Sequence, residues 1–334
     1  MKVTVYGTGS WGTALAQVLS DNGHDVWLYG VDESEINDIN QNHRNSRYFD
    51  DLPIAEALKA TSDIALATEG AGAVVIAVPT KFIRSALQKG SPYIGENTLI
   101  INAAKGFDWE KNCRITDTMR EVLTDRPHRT VASIIGPSHA EEVIQRMLTL
   151  VCAVSLDIDV ANEVRTLFSN HYMRLYSNTD EVGAEYGAAV KNVIAIASGI
   201  LVGQGYGDNA KAALVDRGLL EMARYGTSKG GKPETYYGLT GLGDLVVTCF
   251  SIHSRNYRAG LAIGKANDAA AFLAENKTTV EGVNSCKVIY EDLKNCDFEM
   301  PLVESIYRVL YENALPSGTA AYVQVAMEWL KNNK

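Results

Sequence analysis

The stretch Gly7-Thr8-Gly9-Ser10-Trp11-Gly12 decides the fold. Ahead of it Val3 and Val5 alternate with Lys2, Thr4 and Tyr6, the period of a half-buried strand; behind it Trp11, Ala14, Leu15, Val18 and Leu19 recur at helical spacing. The glycines therefore join a strand to a helix. In that setting Gly7 permits a tight turn, Gly9 lets backbone approach a pyrophosphate, and Gly12 lets helix and strand pack closely. The helix N-terminus then attracts phosphate charge. A glycine-rich turn alone is often only a turn, so the flanking pattern matters. A second strand at residues 26–29 follows the Asn22-Gly23 stop, and Asp32 lies 20 residues beyond Gly12, where a ribose-binding acid is expected. The ligand these features predict is a dinucleotide.

A chain of 334 residues with 46% hydrophobic side chains is too long for one ordinary core and suits two domains. Its formal net charge of -9 argues against a nucleic-acid-binding surface and leaves room for a local basic pocket around a phosphorylated metabolite. The five cysteines show neither a CxxC pair nor zinc-like spacing with the six histidines, which predicts reduced thiols, no metal site and a cytoplasmic protein. No apolar run suggests the roughly 20 residues that span a bilayer, and Met1-Lys2 leads directly into the first strand. No membrane insertion is expected.

Further strands are predicted near residues 60–61, 73–79, 99–101, 131–135, 148–154 and 172–176, with helical patterns between them. The capping-box pattern Asp32-Glu33-Ser34-Glu35 opens one such helix through Ile36 and Ile39. In the polar run 42–51, Tyr48 and Phe49 read as loop anchors packed on the domain edge, the alternative being an aromatic lid near the adenosine. Ligands of open α/β sheets bind outside the carboxyl ends of strands, so Lys105, Gly136 and Ser138 should face the cofactor cleft. For Lys105 the alternative is a solvated surface lysine.

From Asp180 the spacing is helical throughout. The expected fold is α/β: an N-terminal Rossmann-type doubly wound domain at 1–179, then an all-helical C-terminal domain at 180–334. Its first helix, 180–203, is apolar nearly all round and should be buried, yet it carries Lys191 and Asn192. A lysine there costs several kcal/mol unless it is paired or deprotonated. It is either a structural ion pair with a carboxylate such as Asp244, or an ammonium lowered by desolvation, and by Lys105, toward the range of proton transfer. Asp244 follows Gly241-Leu242-Gly243 at a helix start, where it could cap the helix, orient Lys191, or do both. Ser254-Arg255-Asn256 is either a solvated basic turn or a phosphate clamp. Glu281 suits the first turn of a helix in any case.

These residues resemble a known family. Gly7-x-Gly9-Ser10-Trp11-Gly12, Ala104-Lys105-Gly106-Phe107, Gly136-Pro137-Ser138, Lys191-Asn192-Val193-Ile194, Gly241-Leu242-Gly243-Asp244 and Ser254-Arg255-Asn256, with Asn209-x-Lys211 and Arg217-Gly218-Leu219, are similar to the bacterial NAD(P)-dependent glycerol-3-phosphate dehydrogenases. The resemblance covers almost the whole chain. It implies reversible reduction of dihydroxyacetone phosphate to sn-glycerol 3-phosphate, the precursor of membrane phospholipids, with Lys191 as the catalytic acid/base. It further implies a substrate site of Lys105, Gly136, Ser138, Lys191, Asp244, Ser254, Arg255 and Asn256. Beside Gly7, Gly9 and Gly12, the positions it associates with the dinucleotide are Ser10, Trp11, Tyr48, Lys105, Ala140, Arg255, Thr279 and Glu281. A homodimer is the expected assembly.

The chain departs from that pattern in places. Val31 stands where many members carry an arginine that would neutralise a 2′-phosphate, and with Asp32 beside it the cofactor expected among NAD(P) is NAD. His139 replaces a more usual hydrocarbon ring, and the Leu-Pro-Gly expected after Tyr48 is missing. The rival readings are a related two-domain dehydrogenase of another substrate, which a catalytic His-Glu pair would favour though no clear pair is evident in the sequence, and a non-catalytic NAD-sensing module, which would need no buried proton donor.

Overall fold

The short runs rich in valine and isoleucine form one sheet of eight strands: β1 (Lys2–Tyr6), β2 (Asp25–Tyr29), β3 (Lys59–Thr61), β4 (Ala73–Ile76), β5 (Leu99–Asn102), β6 (Val131–Ile135), β7 (Thr149–Val154) and β8 (Met173–Asn178). This computed structural model describes residues 1–125, 130–276 and 278–319. They fall into two units, Met1–Ala104 with Asp108–Glu181, and Lys105–Phe107 with the chain from Val182 onward. Residues 320–334 of the expected helical domain lie outside the described residues.

In the first unit the strand order is β3-β2-β1-β4-β5-β6-β7-β8, and every neighbouring pair is parallel except β6 and β7. The connections pass through α1 (Ser10–Asp21), α2 (Glu33–Asn37), α3 (Ser46–Phe49), α4 (Ile64–Thr68), α5 (Thr80–Gly90), α6 (Ile115–Val122), α7 (Ala140–Val143) and α8 (Ile158–Phe168). Successive side chains of a strand point to opposite faces. Val3, Val5, Val75 and Ile101 accordingly share one core with Leu15, Leu19 and Phe168, while Tyr6, Val74, Ile76 and Ile100 share another with Ile83, Leu87 and Met119. Helices thus cover both faces, which corrects the half-buried reading of β1. Thr4 and Tyr6 are fully buried, their hydroxyls bonded to the Ala67 carbonyl and to Thr68.

Two local expectations also change. Asp32 caps α2 by accepting from the Ser34 N–H, but Glu35 does not return to complete the capping box. Its carboxylate instead takes the Thr8 hydroxyl at 2.5 Å. Of the two aromatics at 48 and 49, Phe49 is buried in the core and Tyr48 is exposed.

The second unit contains α9 (Glu181–Gly203), α10 (Asp208–Ser228), α11 (Asp244–Phe250), α12 (Arg255–Ala266), α13 (Ala269–Glu275), α14 (Glu281–Leu293) and α15 (Pro301–Tyr311), with no strand among its described residues. Its core gathers on α9, from Ala189 to Leu201. Contrary to the reading of the sequence, α9 is long and apolar enough by composition to cross a membrane; 83% of its most apolar stretch is buried inside the protein, as in a core helix. Its neighbours approach closely because they present glycines. A Cβ on Gly260 or Gly264 of α12 would overlap the Ile196 or Ile200 carbonyl oxygen, and one on Gly199 or Gly203 of α9 would collide with the backbone of α12. On α10, Glu221 is buried and accepts from the Leu302 and Val303 N–H groups at 2.9 and 3.2 Å, satisfying the first turn of α15.

Candidate active site

In the first unit the glycine turn occupies the gap between the carboxyl ends of β1 and β4, the point where strand order reverses. Gly7 has φ +120°, and a Cβ there would stand 2.8 Å from the Ala77 carbonyl oxygen. At Gly12 a Cβ would overlap the Gly7 carbonyl oxygen, so only glycine lets α1 sit this close to β1. Gly9 differs: nothing lies within 4 Å of its Cβ position, and as the N-cap of α1 it leaves the first-turn N–H groups without a side-chain cap. The buried Trp11 indole N–H also has no hydrogen-bond partner among the described residues. Open space, uncapped N–H groups and an orphaned donor fit the pyrophosphate of a dinucleotide.

The remaining first-unit candidates lie around this turn or at another strand end. Tyr48, on α3, donates to Glu35 at 3.1 Å. Gly136 follows β6 with φ +149°, where a Cβ would sit 2.9 Å from the Val151 Cα, and its carbonyl accepts from the Ser138 hydroxyl at 3.0 Å. Ala140 is the buried first residue of α7, and His139 is that helix's N-cap.

The second unit assembles most of the other candidates into one network. Asp244, 1% exposed, holds two ammoniums: Lys191 Nζ lies 2.7 Å from Oδ1 and Lys105 Nζ 2.8 Å from Oδ2. Lys191 also donates to the Thr248 hydroxyl at 2.8 Å, and that hydroxyl in turn donates to the Asp244 carbonyl. The N-cap of α11 is Gly243, so the Asp244 carboxylate serves the lysines and does not cap its helix. Burial pushes the Lys191 ammonium down to about 8; Asp244 opposes the shift and Lys105 adds to it. Burial alone would raise the Asp244 carboxyl, but the Lys105 and Lys191 charges outweigh it and hold the group below the usual carboxylate range.

A second string of bonds continues outward from this centre. Asn192 on α9 donates to the Lys105 carbonyl at 3.4 Å and accepts from Asn256 at 2.9 Å, and the Asn256 oxygen accepts the Gly282 N–H at 2.9 Å. The Asn256 amide thus joins α9, α12 and the start of α14 through its oxygen and one of its two N–H groups. Ser254 caps α12 through the Tyr257 N–H, while Arg255 stands exposed as the first residue of that helix. Thr279 and Glu281 flank Val280, the N-cap of α14. Reading the sequence missed Thr248 and the bridging role of Asn192. Thr248 was findable, since it lies four residues after Asp244 on the same helical face.

A doubly wound sheet with a dinucleotide turn in one unit, and a buried lysine of lowered proton affinity in the other, are features of the nicotinamide-linked dehydrogenases. Comparison with known proteins narrows the class. Residues 2–161 match the model of the NAD-dependent glycerol-3-phosphate dehydrogenase N-terminus, and residues 180–320 match that of its C-terminus. The chain belongs to this family. It is 45% identical over 311 residues to a glycerol-3-phosphate dehydrogenase [NAD(P)+] of Streptococcus gordonii, covering 93% of this chain and 92% of that one. With the Bacillus velezensis protein of the same name the identity is 43% over 336 residues, covering 99% and 97%. The crystal structure of glycerol-3-phosphate dehydrogenase from Coxiella burnetii superposes with a TM-score of 0.89 at 34% identity, covering 98% of each chain.

Proposed function

We propose that the chain interconverts dihydroxyacetone phosphate and sn-glycerol 3-phosphate with NAD(P), and that Lys191 is its acid/base. The observation that carries this reading is the buried Lys191 ammonium, held by Asp244 and Thr248 and lowered to about 8. When bound, the nicotinamide supplies or accepts the hydride at the substrate's C2. Reduction leaves negative charge on the C2 oxygen, which needs a cation and then a proton. Two protein groups accept from Lys191 Nζ among the described residues, so an N–H remains to bond that oxygen and deliver the proton. In the oxidative direction the neutral amine takes the alcohol proton back. Asp244 stays ionised throughout and fixes the direction of the ammonium, and Lys105 adds a second positive charge.

The other roles follow from the resemblance and from this geometry. In our reading the first domain, 1–179, holds the dinucleotide on Gly7, Gly9, Ser10, Trp11 and Gly12, with Tyr48 and Ala140 contributing. The second, 180–334, holds the substrate. Ser254, Arg255 and Asn256 at the start of α12 serve its phosphate, whose binding energy is used to orient the carbonyl. Gly136 and Ser138 complete the substrate contacts, and Lys105, Arg255, Thr279 and Glu281 the cofactor contacts. Val31 and Asp32 favour NAD. We read the protein as a cytoplasmic homodimer with free thiols that supplies glycerophospholipid synthesis.

Following NADH absorbance with dihydroxyacetone phosphate tests the assignment. A wild-type protein that leaves NADH unoxidised in the presence of this ketone would sink it.

A further inference from the structure

The segment at residues 45–48 carries a charged group that the reaction leaves without a role. Two bonds tie this segment to the glycine turn. Asn45 Nδ2 donates to the Thr8 carbonyl at 2.7 Å, and the Thr8 hydroxyl donates to Glu35, whose other oxygen accepts from Arg47 at 2.9 Å and from Tyr48. The same Arg47 nitrogen, Nη1, also reaches Asp32 Oδ2 at 2.9 Å. Asp32 Oδ1 is taken by the Ser34 N–H and hydroxyl. A single guanidinium nitrogen therefore serves two carboxylates, and Arg47 Nε and Nη2 have no hydrogen-bond partner among the described residues, the group otherwise lying over the Tyr48 ring at 5.7 Å. The side chain is 61% exposed and borders a polar depression of about 420 Å³ that Ser34, Glu35, Asn45 and Ser46 also line.

The acid about 20 residues beyond the glycine turn bonds the ribose 2′-hydroxyl of NAD, and a nearby arginine accommodates the 2′-phosphate of NADP. Here both groups are present and touch one another. Val31, exposed, supplies no charge, and the cation beside Asp32 comes from α3 instead.

We propose that Arg47 sets the choice between NAD and NADP, its free Nε–Nη2 edge taking the 2′-phosphate of NADP while Asp32 takes the 2′-hydroxyl of NAD. This rests on the dinucleotide function argued above. The Nε–Nη2 edge has the fork geometry that grips a phosphate through two parallel bonds. With NAD, Arg47 stays on Asp32 and Glu35 and screens their charge. With NADP it turns outward, and the Thr8 and Asn45 bonds keep the backbone of the turn and of α3 in place.

Isothermal titration of the intact protein with NADH and NADPH, without substrate, tests this in the wild type, Arg47→Met and Asp32→Asn. Asparagine caps a helix as well as aspartate does, so the second variant changes charge without releasing α2. Removal of a charge-assisted contact should weaken NADPH relative to NADH by roughly tenfold or more in Arg47→Met. In Asp32→Asn the ratio should move the other way. A ratio of the two Kd values that stays within about twofold of wild type in Arg47→Met, whether both affinities hold or both fall, overturns the role of Arg47. A wild type that binds neither dinucleotide overturns the functional reading as well, whereas one that binds both with an unmoved ratio overturns only this inference.

Discussion

Asp244→Asn probes the centre of the site with little change of shape. The amide keeps an acceptor but loses the charge shared by Lys191 and Lys105, whose ammoniums lie 2.7 and 2.8 Å from its two oxygens. Loss of an opposite charge at such a distance should lower the proton affinity of Lys191 by about tenfold or more, taking it below the wild-type value of about 8. At about pH 7.5 the protonated fraction then drops from about three-quarters to at most about one-quarter. The assay is kcat for dihydroxyacetone phosphate reduction at saturating NADH across a pH series. In the wild type the rate should fall as pH rises through about 8, because the proton donor is lost, and the reverse oxidation should rise over the same range. In Asp244→Asn the reductive limb should move to lower pH, with partial recovery toward pH 6. A limb that stays where it is would refute the claim that Asp244 sets the proton affinity of Lys191. So would a folded variant that binds NADH and recovers nothing in acid.

Lys191→Ala should lower kcat by about 10²- to 10⁴-fold, the usual worth of a positioned acid, while NADH binding by titration survives; retention of most of the wild-type turnover would move the proton donor elsewhere. Gly260→Ala places a methyl on the Ile196 carbonyl oxygen and should cost about 1–3 kcal/mol in urea unfolding, so an unchanged midpoint would contradict the close crossing of α9 and α12. Glu221 has its carboxyl pushed up to about 7 by burial, despite the α15 N–H groups and Arg217. The folded form keeps this proton to higher pH than the unfolded chain, so the group's stabilisation is complete below about 4.5 and is lost as pH rises through about 7. Glu221→Gln removes that titration. The wild type should lose stability relative to the variant between pH 5 and pH 8, and a constant difference in urea midpoint would refute the shift.

Much of this protein was legible in one dimension because its determinants are local. Strand, glycine turn and helix follow from side-chain period and from the one residue type that tolerates φ +120° at position 7, and the change to helical spacing at Asp180 separates the two fold types. The odd lysine in an apolar helix marked itself, since burying an unpaired charge is too costly to be accidental. Other features stayed hidden for equally physical reasons. Glu35 looked like half of a capping box, but Thr8 and Arg47 offered it better partners. Asn256 reads as a phosphate ligand, and no local pattern shows that its amide also joins three helices.

The sequence by itself determined the strands and the longer helices, though not the short α3, and that Lys191 needs a counter-charge, because periodicity and desolvation act on residues close together in the chain. Only the tertiary structure decided which carboxylate answers it. Lys105, Lys191 and Asp244 are separated by 86 and 53 positions, and no spacing rule connects groups so far apart. They meet because α9 packs against the turn that leads into α11, where a Cβ on Gly187 would stand 3.0 Å from the Thr240 carbonyl oxygen, so that one buried aspartate neutralises two ammoniums.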